Sequence, residues 1–349
     1  MRPKLRLSWQ EESGTHSFQL DSQLVESLSR RHVVLLDTSV WNRLADGREE
    51  AASAIRGKLL RLKDAEKIFC PLAAPNIWEL RKQAGASLDR TAELMEQLSE
   101  NVAFRQRDQL ASYEVDAFLA YLLGKPIKPL GISEKFAPLL GYLAPAYELS
   151  GTEAVAPHIT HLMHSSVHSM GLTSLIRMLG EKSSPPFPDR YHMAAASIKR
   201  REIAGNSIQV ARRVEMENIA RSVVLPLIKE KCESMSMRDR LLVSSKIVGL
   251  PRSKRYGSAI EHMLQFMPTI AAEVEVNAIS GMDTMRRDCS NDFFDRELLI
   301  YALAHSGTFA AIDKWLASLV SYSRREGFPA FYAYAASLAE LENRLDAIR

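Results

Sequence analysis

A short apolar run that ends in a carboxylate constrains the fold more than any other feature of this sequence. Residues 33–41 read VVLLDTSVW. The first four are aliphatic, do not alternate with polar residues and are too few for a helix, so they predict a strand that is buried on both faces. Asp37 follows that strand directly, and a charge at the end of a buried strand needs a structural or chemical reason.

A second strand of this kind lies near the other end of the chain. Residues 308–312, TFAAI, predict a short strand, and Asp313 follows it. The preceding stretch, NDFFDRELLIYALAHSG at 291–307, predicts an amphipathic helix that carries Asp295 and stops near Gly307. Short strands with a trailing acid therefore occur at both ends of the chain.

A long block of predicted helices separates these two regions of the chain. Residues 67–72, KIFCPL, predict another short strand, and the helix that follows carries Glu79. Residues 4–20 predict a short hairpin around a polar turn. From about residue 88 to 288 the apolar periodicity is almost wholly helical, interrupted by Pro- and Gly-rich breaks.

Composition excludes several classes of protein. The formal net charge of +3 over 349 residues requires no nucleic-acid partner, although residues 199–255 hold fourteen Lys and Arg against six Asp and Glu. The three cysteines are far apart in the sequence, which fits a reducing cytoplasm better than a disulfide framework. There is no apolar stretch of membrane-spanning length and no signal-peptide pattern at the start, so we expect a cytoplasmic protein without a membrane partner.

Four acids occupy equivalent places next to predicted strands. They are Asp37, Glu79, Asp295 and Asp313. In an open parallel sheet, strand ends and the adjacent helix starts converge at one edge, so these acids can meet although up to 276 residues separate them. Clustered carboxylates repel one another unless a cation joins them, and Mg²⁺ prefers oxygen ligands. With one or two ions such a site can activate water for phosphodiester hydrolysis.

These segments resemble the motifs of the PIN-domain nucleases. LDTSVW resembles the first motif, and FCPLAAPNIWELRK resembles the second, a strand followed by a helix with a Glu and a basic residue close behind. DRELLIYALAHSGTFAAID resembles the third and fourth, and its spacing of eighteen residues from Asp295 to Asp313 is similar to that of toxin-type members. The resemblance covers roughly residues 31–84 and 288–320.

The resemblance implies an α/β fold with a PIN-like three-layer core, a small central, mostly parallel sheet and a large all-α insertion. Residues 1–87 and 289–349 would form the core, and residues 88–288 the insertion. It implies a ribonuclease with Mg²⁺ or Mn²⁺ held by Asp37, Glu79, Asp295 and Asp313. Asp292 would be a further ligand, and Thr38 or Ser39 would supply a hydroxyl to the site.

Two departures separate this chain from the family pattern. Ala311 stands where the family usually has Thr or Ser, two residues before the last Asp, so one hydroxyl is missing. The interval of 216 residues between Glu79 and Asp295 is far longer than in a compact member.

Structural explanations remain open for the same residues. Asp37 can cap the next helix, as an Asp after a strand often does. Glu79 can lie on a solvated helix face, and Asp292 can cap the helix of the third motif. The four acids taken together favour a metal site.

Two further groups of residues are candidates for binding. The basic segment offers a surface for RNA phosphates, and its candidate residues are Arg200, Arg201, Arg212, Arg213, Lys254 and Arg255. Solvated helix faces explain these charges equally simply. A histidine stripe, His158, His161, His164 and His168, favours a polar or RNA-facing surface over a metal site, since one helix cannot surround an ion.

The functional prediction is a metal-dependent endoribonuclease with RNA as substrate. The resemblance to toxin-type members implies a bacterial cytoplasmic enzyme of stress response or phage defence, with a protein inhibitor or an oligomeric partner as a second expectation. The alternative is a catalytically silent PIN-like scaffold whose helical block binds RNA or a protein.

Overall fold

The computed structural model describes eight parts of the chain. They are residues 5–9, 15–139, 147–148, 171–179, 207–249, 263–282, 290–325 and 334–348. The His158 to His168 stripe and the basic residues Arg200, Arg201, Lys254 and Arg255 lie outside these ranges.

Helices account for most of the described residues, and nine short strands accompany them. The strands are β1 Leu5–Trp9, β2 Thr15–Leu20, β3 His32–Leu36, β4 Ile68–Phe69, β5 Val102–Phe104, β6 Phe136–Pro138, β7 Tyr147–Glu148, β8 Thr308–Ala310 and β9 Tyr334–Ala335. The first helices are α1 Ser22–Ser29, α2 Thr38–Asp46, α3 Glu50–Asp64, α4 Ala74–Leu80, α5 Gly85–Ser99, α6 Arg107–Leu122 and α7 Ile132–Lys135. The later helices are α8 Leu172–Leu179, α9 Ile208–Ile219, α10 Leu225–Glu233, α11 Met237–Gly249, α12 Pro268–Met282, α13 Ser290–His305, α14 Lys314–Arg325 and α15 Leu338–Asp346, and a π-helical turn, Ala220–Val224, joins α9 to α10.

A parallel sheet of four strands, in the order β4–β3–β8–β9, brings the two ends of the chain together. Val34 lies opposite Thr308 and Leu36 opposite Ala310. The strands predicted from VVLL and TFAAI are therefore confirmed, and they are direct neighbours in the sheet.

Both faces of this sheet are covered, which explains the unbroken apolar run of β3. Val34 and Leu36 belong to a first core that includes side chains of α2, α3, α5 and α15. Leu35, between them, belongs to a second core with α13 and α14. Each buried aliphatic side chain contributes roughly 1.5–3 kcal/mol. The protein is thus α/β, with helices on both sides of a small parallel sheet.

Two smaller antiparallel pairings complete the strands. β1 and β2 form the predicted hairpin, and β7 adds a third strand. β5 pairs with β6, and Phe104 N also donates to Leu72 O at 2.8 Å, next to the parallel sheet. The prediction of an almost wholly helical segment from 88 to 288 is wrong for β5, β6 and β7, because strands of two or three residues are too short to show a period. The Phe104 and Phe136 rings, 4.7 Å apart, bury this pair.

A third core holds the helical block together. It is formed by side chains of α6, α9, α10 and α12 with the π-helical turn between α9 and α10. Leu88 and Met95 of α5 lie instead in the first core, against the sheet layer. The division of the chain into a core of residues 1–87 and 289–349 and an insertion of residues 88–288 stays a prediction.

Gly307 joins α13 to β8 close to the His32 side chain. The helix ends at His305, and Gly307 N donates to Val33 O at 3.0 Å. A Cβ at position 307 would meet the His32 ring, so a larger residue would require that side chain to move. The predicted stop near Gly307 is confirmed, and its cause is close approach to β3.

No described helix is both long and apolar enough to cross a membrane. Two of the cysteines lie in the described ranges, and both are free thiols: Cys70 is buried and Cys232 is half-buried.

A fully buried carboxylate connects the helical block to α13. Glu114 of α6 is 0% exposed and accepts from Thr269 N at 2.8 Å, at the start of α12. The Thr269 hydroxyl lies 2.8 Å from Nε2 of His305, the last residue of α13. Burial raises the pKa of Glu114 to about 7, with the bonds from Thr269 and Ile270 opposing that rise, and burial lowers the pKa of His305 to about 3.

The raised pKa makes the contribution of Glu114 to folding depend on pH. Because the folded state holds the proton up to about pH 7 and the unfolded chain releases it near 4.5, this contribution is lost as pH rises from about 4.5 to 7. We expect the free energy of unfolding of Glu114→Gln to rise by roughly 3 kcal/mol relative to that of the native protein across that pH range. Urea unfolding at several pH values measures this, with the exposed Glu230→Gln as the control that follows the native protein. Parallel stability curves for the native protein and Glu114→Gln would contradict it.

Candidate active site

Asp37 lies at the junction of β3 with α2 and is almost fully buried, at 6% exposure. Its carboxylate caps α2 by accepting from Ser39 N at 3.1 Å, and the Ser39 hydroxyl donates to the same oxygen. Its backbone N–H donates to Ala310 O at 2.9 Å, which fixes the junction to β8. The capping role considered for Asp37 is therefore confirmed, and it leaves the acid at the carboxyl end of the central strand.

Glu79 reaches the same junction from α4 through a hydroxyl of the first motif. The Thr38 side chain hydrogen-bonds the Glu79 carboxylate. The same hydroxyl accepts from the side-chain amide of Asn76 at 3.3 Å. Thr38 thus receives one hydrogen bond from Asn76 and donates its own proton to Glu79. The Glu79 side chain is half-buried and tied to the site, which excludes a merely solvated helix face.

Asn76 holds α4 against the end of β3. It is fully buried, donates to Leu36 O at 3.1 Å and accepts from Ala73 N at 3.0 Å. Asn76 is not among the site residues that the sequence motifs predict. The only sign of its role in the sequence is that it is polar, the third residue of APNIW, and lies among apolar neighbours at the start of a helix.

The charges of three acids influence one another across the junction. Burial raises the pKa of Asp37, the charge of Asp313 raises it further, and hydrogen bonds from Ser39 and Thr38 oppose the rise. Burial also raises the pKa of Glu79, the nearby charge of Asp37 adds to this, and Thr38 and Lys82 oppose it. The junction therefore concentrates negative charge where water solvates it poorly.

Asp313 follows β8 and caps α14. Trp315 N and Leu316 N both donate to its Oδ1, at 2.7 and 3.0 Å. Ala311, which stands in the place of the expected hydroxyl residue, is fully buried in the second core, and its carbonyl accepts from the Tyr334 hydroxyl at 3.0 Å. The missing hydroxyl is thus replaced by a side chain that packs against apolar neighbours.

Asp295 lies half-buried on α13, which packs against α4. The neighbouring Phe294 ring lies 4.8 Å from Nζ of Lys82, three residues beyond Glu79. The helix begins at Ser290, so Asp292 lies inside its first turn and is not its N-cap residue. The Asp292 side chain is outside the described part of the chain.

Among the described residues, no three Asp, Glu, His or Cys side chains come close enough together to hold a metal ion. At the junction, the charge of Asp37 interacts with those of Glu79 and Asp313. The carboxylates of Asp37 and Asp313 also accept hydrogen bonds from backbone N–H groups at the starts of α2 and α14. A cation with only one or two protein carboxylates and several waters is the usual binding mode of Mg²⁺.

The basic candidates within the described ranges have separate environments. Arg212 forms an ion pair with Glu275 of α12 and is partly buried, whereas Arg213 is exposed. Their participation in RNA binding stays a prediction.

The buried amide of Asn76 provides a test of how the junction is held. We expect Asn76→Ala to lower the free energy of unfolding by roughly 2–4 kcal/mol, because Ala73 N and Leu36 O would lose their partner while buried. Urea denaturation measures the change, and Asn343→Ala on the exposed face of α15 is the matched control. A loss below about 1 kcal/mol would show that Asn76 does not hold this junction.

Comparison with known proteins adds no further assignment. Neither the family models, nor the curated proteins, nor the solved structures contain a match to this chain.

Proposed function

We propose that the protein is a Mg²⁺- or Mn²⁺-dependent ribonuclease whose site is built on Asp37 and Glu79. The observation that carries the proposal is the pair itself, two carboxylates of limited exposure near the end of the central strand, where the charge of Asp37 raises the electrostatic cost of ionising Glu79. A divalent cation compensates this cost.

The donor chemistry fits a hard cation. Asp37 and Glu79 offer only oxygen, and waters complete the shell in the usual binding mode of Mg²⁺. When bound, the ion would supply an activated water and charge stabilisation at the phosphodiester. Ser39 orients the Asp37 carboxylate and Thr38 orients that of Glu79. Asp295 and Asp313 are proposed as the other acids of the set, with Asp292 as a further ligand.

The biological setting is part of the same proposal. The motif resemblance supports a PIN-like nuclease core, and the free thiols Cys70 and Cys232 favour a reducing cytoplasm. We propose an endoribonuclease of the toxin or phage-defence type that acts on RNA. Arg212 and Arg213, with Arg200, Arg201, Lys254 and Arg255, would follow the phosphate backbone.

A silent scaffold is the second candidate, and two observations favour it. In the described residues the acids do not form a group of three around one point. Ala311 also removes a hydroxyl from the family pattern. In this alternative the junction acids serve as helix caps and the helical block binds RNA or a protein.

Cleavage assays separate the two candidates. We expect RNA hydrolysis that requires Mn²⁺ or Mg²⁺, stops with EDTA and falls by more than about 100-fold in Asp37→Asn and Glu79→Gln, because removing a ligand costs more than removing its supporting residue. Asn caps helices as well as Asp, so Asp37→Asn keeps the fold. Asp21→Asn is the matched control, since Asp21 caps α1 in the same way but lies outside the site.

If the native protein and Asp37→Asn cleave every RNA tested equally well, the nuclease proposal is wrong. The proposal is also wrong if neither protein cleaves any RNA.

Metal binding can be measured without catalysis. We expect Mn²⁺ to raise the melting temperature of the native protein and not that of Asp37→Asn/Glu79→Gln. The effect should weaken as pH falls, because protons compete with the ion for carboxylates whose pKa values burial has raised. Differential scanning fluorimetry from pH 5 to 8 provides the measurement. Stabilisation by Mn²⁺ of equal size in the double variant would place the ion elsewhere.

A further inference from the structure

A cavity with two arginines in its wall lies between α5, α8 and the residues that follow α4. It has a volume of about 210 Å³, and Arg81, Ala84, Gly85 and Arg177 line it above the apolar side chains of Leu88 and Ile176. We call this cavity the basic pocket. At roughly 30 Å³ for each water, this volume has room for several waters or for one small polar group.

The described charged residues that line the basic pocket are all positive. Of the described residues that line it, two are arginines and none is an acid. Arg81 is only 9% exposed, and its guanidinium carbon lies 4.6 Å from the centroid of the Trp78 ring, which holds the planar group in position. A guanidinium at so low an exposure attracts an anion more strongly than one in bulk water.

The second arginine has a partner that a ligand can replace. Arg177 Nη2 lies 2.9 Å from Asp89 Oδ1, and the two side chains are 60% and 51% exposed. Exposed ion pairs of this kind stabilise a protein only weakly. An anion in the pocket can therefore compete with Asp89 for Arg177.

The start of α5 adds backbone donors to the same space. Its first residue is Gly85, its N-cap residue is Ala84, which supplies no side-chain acceptor, and its first turn contains no acid. The N–H groups of a first helical turn have no partner within the helix, and the helix dipole favours negative charge there. Gly85 has a φ of +61°, and a Cβ there would meet nothing within 4 Å, so the space beside Gly85 is open.

We propose that the basic pocket binds a phosphate group. The guanidinium groups of Arg81 and Arg177 match phosphate oxygens in geometry and charge, and the start of α5 supplies backbone N–H groups to the same ligand. The phosphate belongs either to a free nucleotide or to a nucleic-acid strand, because both present the same group. The proposal stands on the lining of the pocket and does not depend on hydrolysis at Asp37 and Glu79.

Calorimetric titrations in EDTA at constant ionic strength test the proposal. The probes are inorganic phosphate, adenosine 5′-monophosphate and a short phosphorothioate oligonucleotide. We expect Arg177→Gln to weaken binding about tenfold and Asp89→Asn to strengthen it severalfold, because the second change releases Arg177 from its ion pair. Arg90→Gln is the matched control, since Arg90 lies on α5 and faces Asp46 at 3.8 Å, away from the pocket lining.

The opposite changes in Arg177→Gln and Asp89→Asn distinguish ligand binding from a structural role. If the ion pair only stabilises the fold, both variants lower the melting temperature alike and leave affinity unchanged, which overturns the proposal. Absence of binding by all three probes overturns it as well. Binding of the mononucleotide or of inorganic phosphate supports a small-ligand pocket, and binding of the oligonucleotide alone supports a site for a strand.

Discussion

The parallel pairing of β3 with β8 is the constraint on which the rest of the structure depends. It joins Leu36 to Ala310 across more than 270 residues, so the approach of Asp313 to Asp37 requires that the long intervening chain close back on itself. The entropic cost of closing a loop rises only with the logarithm of its length, by about 0.6 kcal/mol for each doubling. A helical block of this size is therefore compatible with the sheet, particularly since it forms its own core.

The position of the acids follows from the ends of these two strands. Asp37 and Asp313 each leave a parallel strand and begin a helix, and each accepts hydrogen bonds from the first turn of that helix. The helix dipole offsets part of the cost of a poorly solvated carboxylate, which allows two like charges to remain near each other. Capping and site formation are thus compatible roles, and a helix cap at Asp37 does not argue against a metal there.

The sequence predicts those parts of the fold that depend on local pattern. VVLL and TFAAI indicate buried strands because both faces are covered, and the polar turn between β1 and β2 indicates a hairpin. β5 and β6 escape prediction because three residues are too few to show a period and because their pairing brings together Phe104 and Phe136, which are distant in sequence.

The candidate site residues, too, could be predicted only where they follow from local sequence pattern. The convergence of strand ends predicts that Asp37, Glu79 and Asp313 lie near one another, and the charge of Asp37 is coupled to those of the other two, while their role in a site stays a prediction. Asn76 and the basic pocket could not be predicted, because Asn76 acts through contacts with Leu36 and Thr38, and Arg177 lines the same cavity as Arg81 only through the packing of α8 on α5.

The helical block supports the segment that carries the last two acids of the set. Arg107 of α6 lies 3.3 Å from Glu273 of α12 and 3.1 Å from Glu297 in the middle of α13, so one half-buried guanidinium joins three helices. At the C-terminal end of α13, Thr269 contacts His305, two residues before the close approach of Gly307 to β3. Because α13 contacts α6 and α12 at its middle and at its C-terminal end and is followed closely by β8, the helical block is connected through α13 to the strand that precedes Asp313.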